Sequence, residues 1–282
     1  MRTIIVLGMH RSGTSAIARA LGRLGAETGA PDQLGHLVEH RGLRTVNRQL
    51  ISRAGGTWDG PPPGAHWLDD PHLERFDARA AEAMRAAFED ADVVVWKDPR
   101  TCLTLPRWLP HLGDRPVAVI IHRHPVEVAA SLEVRNRMGA SLSFAVWERY
   151  NAEALRHAAG LPTFVVEYSQ TVNEPRESIV ALAEALATWG VTLPNDPRTT
   201  DVGLVATERH HQADLVDRFD HPDATPSQLA LFEHLRRLGG AHDLLIPPTP
   251  APEPSQASVD LMRRAARRRL ERRTPSRPHP VR

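Results

Sequence analysis

Four short segments of this 282-residue chain carry residue types able to do chemistry on an anion. The first, Gly8-Met9-His10-Arg11-Ser12-Gly13-Thr14-Ser15, follows an apolar run and opens a helical pattern. Backbone N–H groups in such a strand–loop–helix turn, with the positive end of the helix dipole behind them, hold phosphate. The loop nearly matches the nucleotide-hydrolase pattern, but Thr14 stands where a lysine would touch the β- and γ-phosphates, so ordinary ATP or GTP hydrolysis is not expected. Its cation is Arg11 instead. The second segment places Arg123 and Ser131 eight residues apart, with Pro125 two after the arginine. A guanidinium fork at the carboxyl end of a strand, backed by a hydroxyl on the next helix, makes a second grip for an anion. The third is Lys97-Asp98-Pro99-Arg100, whose Lys97 is the single lysine among 35 basic residues. An apolar run ending in aspartate also reads as a Mg²⁺ site for phosphoryl transfer through Asp98, a reading weakened by the missing loop lysine. The fourth, Gly35-His36-Leu37-Val38-Glu39-His40, spells the inverted zinc-protease signature and holds three candidate bases, Glu39, His36 and His40.

These segments need elements to carry them. Thr3 to Leu7 is β-branched and apolar and reads as a buried first strand. A helix is predicted from about Thr14, with Ala16, Ile17, Ala20, Leu21 and Leu24 on one face and Gly25 ending it. Strand-sized runs recur at Val93 to Trp96, Val117 to Ile121 and Thr163 to Val166, separated by helical stretches at Asp70–Glu89, Pro125–Arg137, Phe144–His157 and Pro175–Trp189. The alternation predicts an α/β fold in three layers, a central parallel sheet with right-handed crossovers flanked by helices. Lys97 and Arg123 then sit at strand carboxyl ends, where such sheets bind ligands. Gly55 to Gly64, with Pro61, Pro62 and Pro63, cannot be regular and reads as a surface loop near the site or a lid. Trp147, Tyr150 and Asn151 lie at helical spacing and read as packing residues. The pattern weakens beyond Thr192, and Pro226 to Leu238 is the last helix expected of a domain spanning 1–246.

The first two segments together resemble the sulfotransferases that use 3′-phosphoadenylyl sulfate, most closely their bacterial, carbohydrate-type branch, and the resemblance extends from Met1 to about Trp189. It implies a P-loop-like fold in which the backbone of Ser12, Gly13, Thr14 and Ser15, with Arg11, holds the 5′-phosphosulfate, and Arg123 with Ser131 holds the 3′-phosphate. It further implies that Lys97 contacts the transferring sulfuryl group and, with Arg11, stabilises charge on the leaving oxygen. A glutamate at the start of the helix after the loop acts as base in that family. Glu39 is the matching position, with Asn47 and Leu50 supporting the register, although Leu37 and Val38 replace the family's aromatic residue. Tyr168, just after a strand, either lines the nucleotide pocket or caps the strand. The family's stacking tryptophan after the loop is Ala16 here, which leaves the adenine contacts open. The implied product is adenosine 3′,5′-bisphosphate, the acceptor a carbohydrate or other small-molecule hydroxyl, with neither a metal nor a covalent intermediate. A P-loop kinase, a nucleotide-binding protein without chemistry, a nucleic-acid adaptor driven by the basic tail and a zinc protease are the rivals.

Composition bounds the rest. A 41% hydrophobic share with 24% charged residues can build a sizeable core. No apolar run approaches the roughly 20 residues of a membrane span, and none suits a secretory signal. The single Cys102 forms no internal disulfide and fits a cytoplasmic setting. The formal charge of +1 hides an asymmetry, because Ser255–Arg282 holds nine arginines against Asp260 and Glu271. No nucleic acid is expected for the main domain. Residues 247–282 read as a proline-rich linker and an arginine-rich, solvated, partly disordered tail of unknown partner, with a basic helix possible from Ser258 to Arg273.

Overall fold

The computed structural model describes residues 1–64, 66–204, 219–247 and 254–272. Its centre is β1 (Arg2–Leu7), fully buried from Thr3 onward. Alternate side chains of a strand point to opposite faces, so Ile5 and Leu7 enter one apolar core while Ile4 and Val6 enter another. Three more runs pair with it in parallel register: β2 (Val93–Lys97), β3 (Val117–His122) and β4 (Thr163–Glu167), in the order β2-β1-β3-β4. The predicted parallel sheet is therefore present, extended at one edge by a short antiparallel strand, β5 (Gly240–His242), beside β4. Sequence patterning misses β5 because three residues starting on a glycine show no periodicity.

Helices cover both faces and complete the three layers. On one side, α1 (Thr14–Arg23) supplies Ile17, Ala20 and Leu21 to the core with Ile4 and Val6, and α8 (Pro175–Thr188) supplies Ile179, Leu182 and Leu186. The other side is thicker and holds α2 (Arg41–Arg53), α3 (Arg75–Phe88), α4 (Thr101–Trp108), α5 (Pro125–Asn136), α6 (Ala140–His157) and α9 (Pro226–Arg237). The predicted helices at 125, 175 and 226 begin on proline, which suits the first helical turn because its missing N–H would have no partner there anyway. The helix expected from Asp70 starts instead with a 3₁₀ turn at Pro71–Leu73. Two short helices escape the sequence reading. One is α4, interrupted by Pro106, and the other is α7 (Tyr168–Asn173), a single capped turn after β4.

Two expectations are corrected by packing. The triple-proline loop is near the site but is no surface lid, because Gly56, Thr57, Asp59, Gly60, Pro61 and Pro62 are buried. Its carbonyls are held from α6: Arg149 Nη2 donates to Pro62 O at 3.3 Å and to Gly64 O at 2.5 Å, and Tyr150 Oη donates to Trp58 O at 2.9 Å. The basic tail is not a solvated extension throughout, since Gln256–Glu271 forms α10, docked on α6 with Ser258, Met262 and Ala266 buried. Most of the linker and Arg273–Arg282 lie outside the described residues.

Gly60 is where loop and tail helix meet. A Cβ there would stand 2.4 Å from Met262 O and 2.6 Å from Ala266 N, both backbone atoms that cannot rotate aside. Gly60→Ala should destabilise the docking of α10 by about 1–3 kcal/mol, the usual cost of overpacking. Limited trypsinolysis checks this: cleavage between Arg263 and Arg269 should come earlier in the variant, and an unchanged rate would mean the close approach does not limit docking.

Candidate active site

The strand carboxyl ends Leu7, Lys97, His122 and Glu167 share one edge of the sheet. Because β2 lies on one side of β1 and β3 on the other, the loop leaving β1 sits over the point where the chain order diverges, the crevice in which open α/β sheets take ligands. A cleft of about 1010 Å³ opens there, and Arg11, Gly13, Thr14, Ser15, Glu39, Lys97, Arg123, Ser131 and Tyr168 all line it.

The loop has the backbone its glycines require. A Cβ on Gly8 would meet Ile121 O at 2.4 Å, and one on Gly13, at φ 92°, would meet the Tyr168 ring at 2.3 Å. The Gly8 N–H donates to Cys102 Sγ at 3.1 Å. Burial pushes the Cys102 thiol up to about 12, so it serves as an apolar partner and not a nucleophile. Arg11 is held at φ 73°, an arrangement that costs a non-glycine residue on the order of 1–3 kcal/mol and is concentrated at functional sites. Ser12 departs from the expected role. Its side chain is fully buried and its N–H donates to Met9 O at 3.2 Å, so Ser12 is absent from the cleft lining. The first N–H groups of α1 have no acceptor within the helix and face the cleft through Thr14 and Ser15.

The two predicted anion grips, more than a hundred residues apart in sequence, touch. Arg11 Nε donates to Ser131 Oγ at 2.8 Å, and Arg123 Nη1 donates to Arg11 O at 3.2 Å. Arg123 is oriented from three further directions. Glu127 accepts from its Nε at 3.1 Å, Trp147 Nε1 donates to its carbonyl at 3.0 Å, and the Tyr168 ring lies beneath the guanidinium at 4.5 Å. Trp147 is thus a packing residue that also fixes the arginine's backbone. The Arg11 head points to this end of the cleft and not to Lys97.

At the other end, Lys97 Nζ donates to Glu39 Oε1 at 3.1 Å, with both side chains nearly fully buried. Burial lowers the Lys97 ammonium from its ordinary range, while Glu39 and then Asp98 act in the opposite direction. Glu39 also faces Arg44 at 3.7 Å and Arg100 at 3.9 Å. It lies just before α2 and not within it. Of the alternative bases, His36 is exposed and His40 packs its ring against Phe88, so neither reaches the cleft. Among the described residues no three His, Cys, Asp or Glu side chains gather as metal ligands, and the two histidines do not converge with Glu39. Asp98 is buried and already saturated, accepting from Arg100 N and Nη1 and from Asn47 Nδ2.

Among the lining residues that the sequence did not single out, three stand close to the Lys97 end. Arg44 and Arg100 are indistinguishable by type in a chain with 35 basic residues, almost all arginine. His10 sits between Trp58 and Tyr150, ring centroids 4.9 and 5.5 Å away. Burial holds its imidazole well below the usual range, helped by Arg100, Lys97 and Arg11, so it is neutral. Only the position of His10 inside the glycine loop signals it.

No protein-family model matches the sequence, and no curated protein matches it. Among solved structures the chain is similar to the sulfotransferase domain from the Synechococcus PCC 7002 olefin synthase, at 18% identity and a TM-score of 0.45 over 84% of this chain and 94% of that one. It is similar also to the sulfotransferase domain from the curacin biosynthetic pathway, at 14% identity and a TM-score of 0.42 over 99% of this chain and 93% of that one. Likenesses this distant do not assign a function. No helix among the described residues is long and apolar enough to cross a membrane.

Asn47 on α2 ties the Lys97 end together. Its Nδ2 donates to Asp98 and Thr101, while its Oδ1 accepts from Thr104 at 2.6 Å and Trp108 at 2.8 Å. Asn47→Ala leaves the Trp108 donor buried without its acceptor, while the Thr104 hydroxyl keeps Arg100 O at 3.3 Å, so the variant should lose about 1–3 kcal/mol. Chemical denaturation measures this, and a loss below about 1 kcal/mol would mean water replaces the amide.

Proposed function

We propose that the cleft transfers a sulfuryl group from 3′-phosphoadenylyl sulfate to a hydroxyl of a small-molecule or carbohydrate acceptor. The observation that carries this reading is the direct meeting of the two anion grips, through Arg11, Ser131 and Arg123, in the same cleft as the Lys97–Glu39 pair. A donor with anionic groups at both the 3′ and the 5′ position of its ribose suits two adjoining grips, whereas a nucleoside triphosphate carries its charge on the 5′ chain alone.

Chemically the residues fit the donor. The cleft is lined by Arg11, Arg19, Arg44, Lys97, Arg100, Arg123 and Arg135 against a single acid, Glu39. The N–H groups at Thr14 and Ser15, with Arg11, would hold the 5′ end, while Arg123 and Ser131 would hold the 3′-phosphate, with Tyr168 beneath Arg123. When bound, the donor supplies the sulfuryl group: its S–O bond to the bridging phosphate oxygen breaks as an S–O bond to the acceptor oxygen forms, the electron pair leaves on adenosine 3′,5′-bisphosphate, and the acceptor proton passes to Glu39.

Lys97 and Glu39 are set up to act as a pair. A carboxylate bonded to an ammonium is a poor base, because the cation stabilises its anionic form. Drawing Lys97 toward developing charge on a leaving oxygen would release Glu39 to accept a proton, coupling the two ends of the transfer. Arg44 and Arg100 approach the second oxygen of the same carboxylate, at 3.7 and 3.9 Å. The kinase reading loses support at Asp98, whose oxygens are taken up by Arg100 and Asn47.

Two substitutions test the reading. Arg123→Ala should weaken adenosine 3′,5′-bisphosphate by roughly 10- to 100-fold in calorimetric titration, as expected for a charged hydrogen-bonding group worth about 1.5–3 kcal/mol. Circular dichroism confirms that the variant is folded, and full affinity in the folded variant removes the second grip from the donor site. Glu39→Gln should reduce turnover by about 10²- to 10⁴-fold, the usual contribution of a general base, while bisphosphate affinity is retained. Near-normal turnover would take the base role away from Glu39, and a protein that binds the bisphosphate yet transfers to no hydroxyl would be a binding protein without chemistry.

A further inference from the structure

A second cavity of about 340 Å³ adjoins the cleft, sharing Arg44, Trp58 and Arg100 with it and adding Arg48, Ile51, Ser52, Gly56, Thr57 and Arg269. Its size falls within the ~300–1,000 Å³ of small-ligand pockets. Among the described residues its own lining carries four arginines and no carboxylate. The four come from three separate elements. Arg44 and Arg48 are four apart on α2 and so share a face, Arg100 precedes α4, and Arg269 belongs to the tail helix α10. Arg269 is positioned and not loose: Asp59 accepts from it at 2.9 Å, Thr57 Oγ1 in turn donates to Asp59 at 2.8 Å, and its guanidinium lies 5.4 Å from the Trp58 ring centroid. Arg44 Nε is buried with no hydrogen-bond partner among the described residues, although its Nη1 faces Glu39 at 3.7 Å.

Resting on the donor-site reading above, we infer that this cavity binds an oxyanion group of the acceptor, so that the acceptor is a hydroxyl compound bearing a phosphate, sulfate or carboxylate. Guanidinium forks match such groups in shape as well as charge, and Trp58 offers an apolar face to the body of the same molecule. The location follows from Glu39, which Arg44 and Arg100 both approach. An acceptor anchored by its anion in this cavity presents its hydroxyl toward the carboxylate that takes the proton. The basic tail thereby becomes part of the site, because α10 places Arg269 in the cavity wall.

The test uses the full chain saturated with adenosine 3′,5′-bisphosphate, so that the donor grips are filled, and sulfate as the probe. Calorimetric titration should detect sulfate binding that weakens about tenfold in Arg48→Ala and in Arg269→Ala, a loss typical of one charged contact, while bisphosphate affinity stays unchanged. Crystals soaked in selenate should show an anomalous selenium peak among Arg44, Arg48 and Arg269. Absence of that peak, sulfate binding indifferent to both variants, or an equal loss of bisphosphate affinity would each overturn the inference. Arg48→Ala decides the matter alone if Arg269→Ala undocks α10. A wild-type protein that fails to bind the bisphosphate would sink the donor reading instead, and sulfate titration of unliganded protein, with the same two variants, would still decide the cavity.

Discussion

Crowding of like charge at one sheet edge is the constraint on which the site is built. Seven cationic side chains line the cleft against one carboxylate, and several of them are largely removed from water, where unscreened repulsion is costly. The fold manages this by setting a carboxylate beside key cations: Glu127 beside Arg123, Asp98 beside Arg100, Glu39 beside Lys97 and Asp59 beside Arg269. Such pairing holds the cations in place without neutralising the cleft as a whole. An anion entering the cleft is attracted by this excess of positive charge. The left-handed backbone of Arg11 belongs to the same arrangement, since it turns a loop cation toward Ser131 at a conformational cost that the surrounding contacts sustain.

Preorganisation is delivered by groups that never reach the cleft. Asn47 bonds Asp98, which bonds Arg100, which approaches Glu39, so a helix amide three links away influences the proposed base. Trp147 plays the same part at the opposite end by holding the carbonyl of Arg123. These buried polar groups carry strict hydrogen-bonding demands, and satisfying them together leaves few alternative packings. Helix α6 joins the two halves of the problem, presenting Trp147 beneath Arg123 while Arg149 and Tyr150 pin the proline loop that carries Trp58.

Much of this was legible in the sequence because the signals were local. Strands β1 to β4 are β-branched runs, α5, α8 and α9 begin on proline, and the glycine loop, Lys97, Arg123, Ser131 and Glu39 all reached one cleft. What escaped is what depends on contacts distant along the chain. Ser12 is expected to offer its backbone N–H to the cleft, yet that N–H turns back to Met9 O. The loop around Pro62 reads as exposed because prolines exclude regular structure, yet burial of an irregular segment requires only partners for its carbonyls, and those partners are eighty or more residues away on α6. The tail helix reads as solvated because its arginines dominate its composition. Its docking rests on two small features, the apolar Met262 and Ala266 and the bare backbone of Gly60.

The identity of the cation beside Glu39 follows from hydrogen-bond capacity. An arginine presents five N–H donors on a rigid plane and cannot give up its charge, so full burial at the end of β2 would require several acceptors in that plane. The space offers mainly the Glu39 carboxylate, and nearby Asp98 is already occupied by Arg100 and Asn47. An ammonium needs fewer partners, is compact, and can turn about its flexible stem from one oxygen to another. Burial also lowers the Lys97 proton affinity, a change that lysine tolerates and arginine does not. In a chain that uses arginine for every other strong cation, the most deeply buried cation of the cleft among the described residues is the one held by lysine.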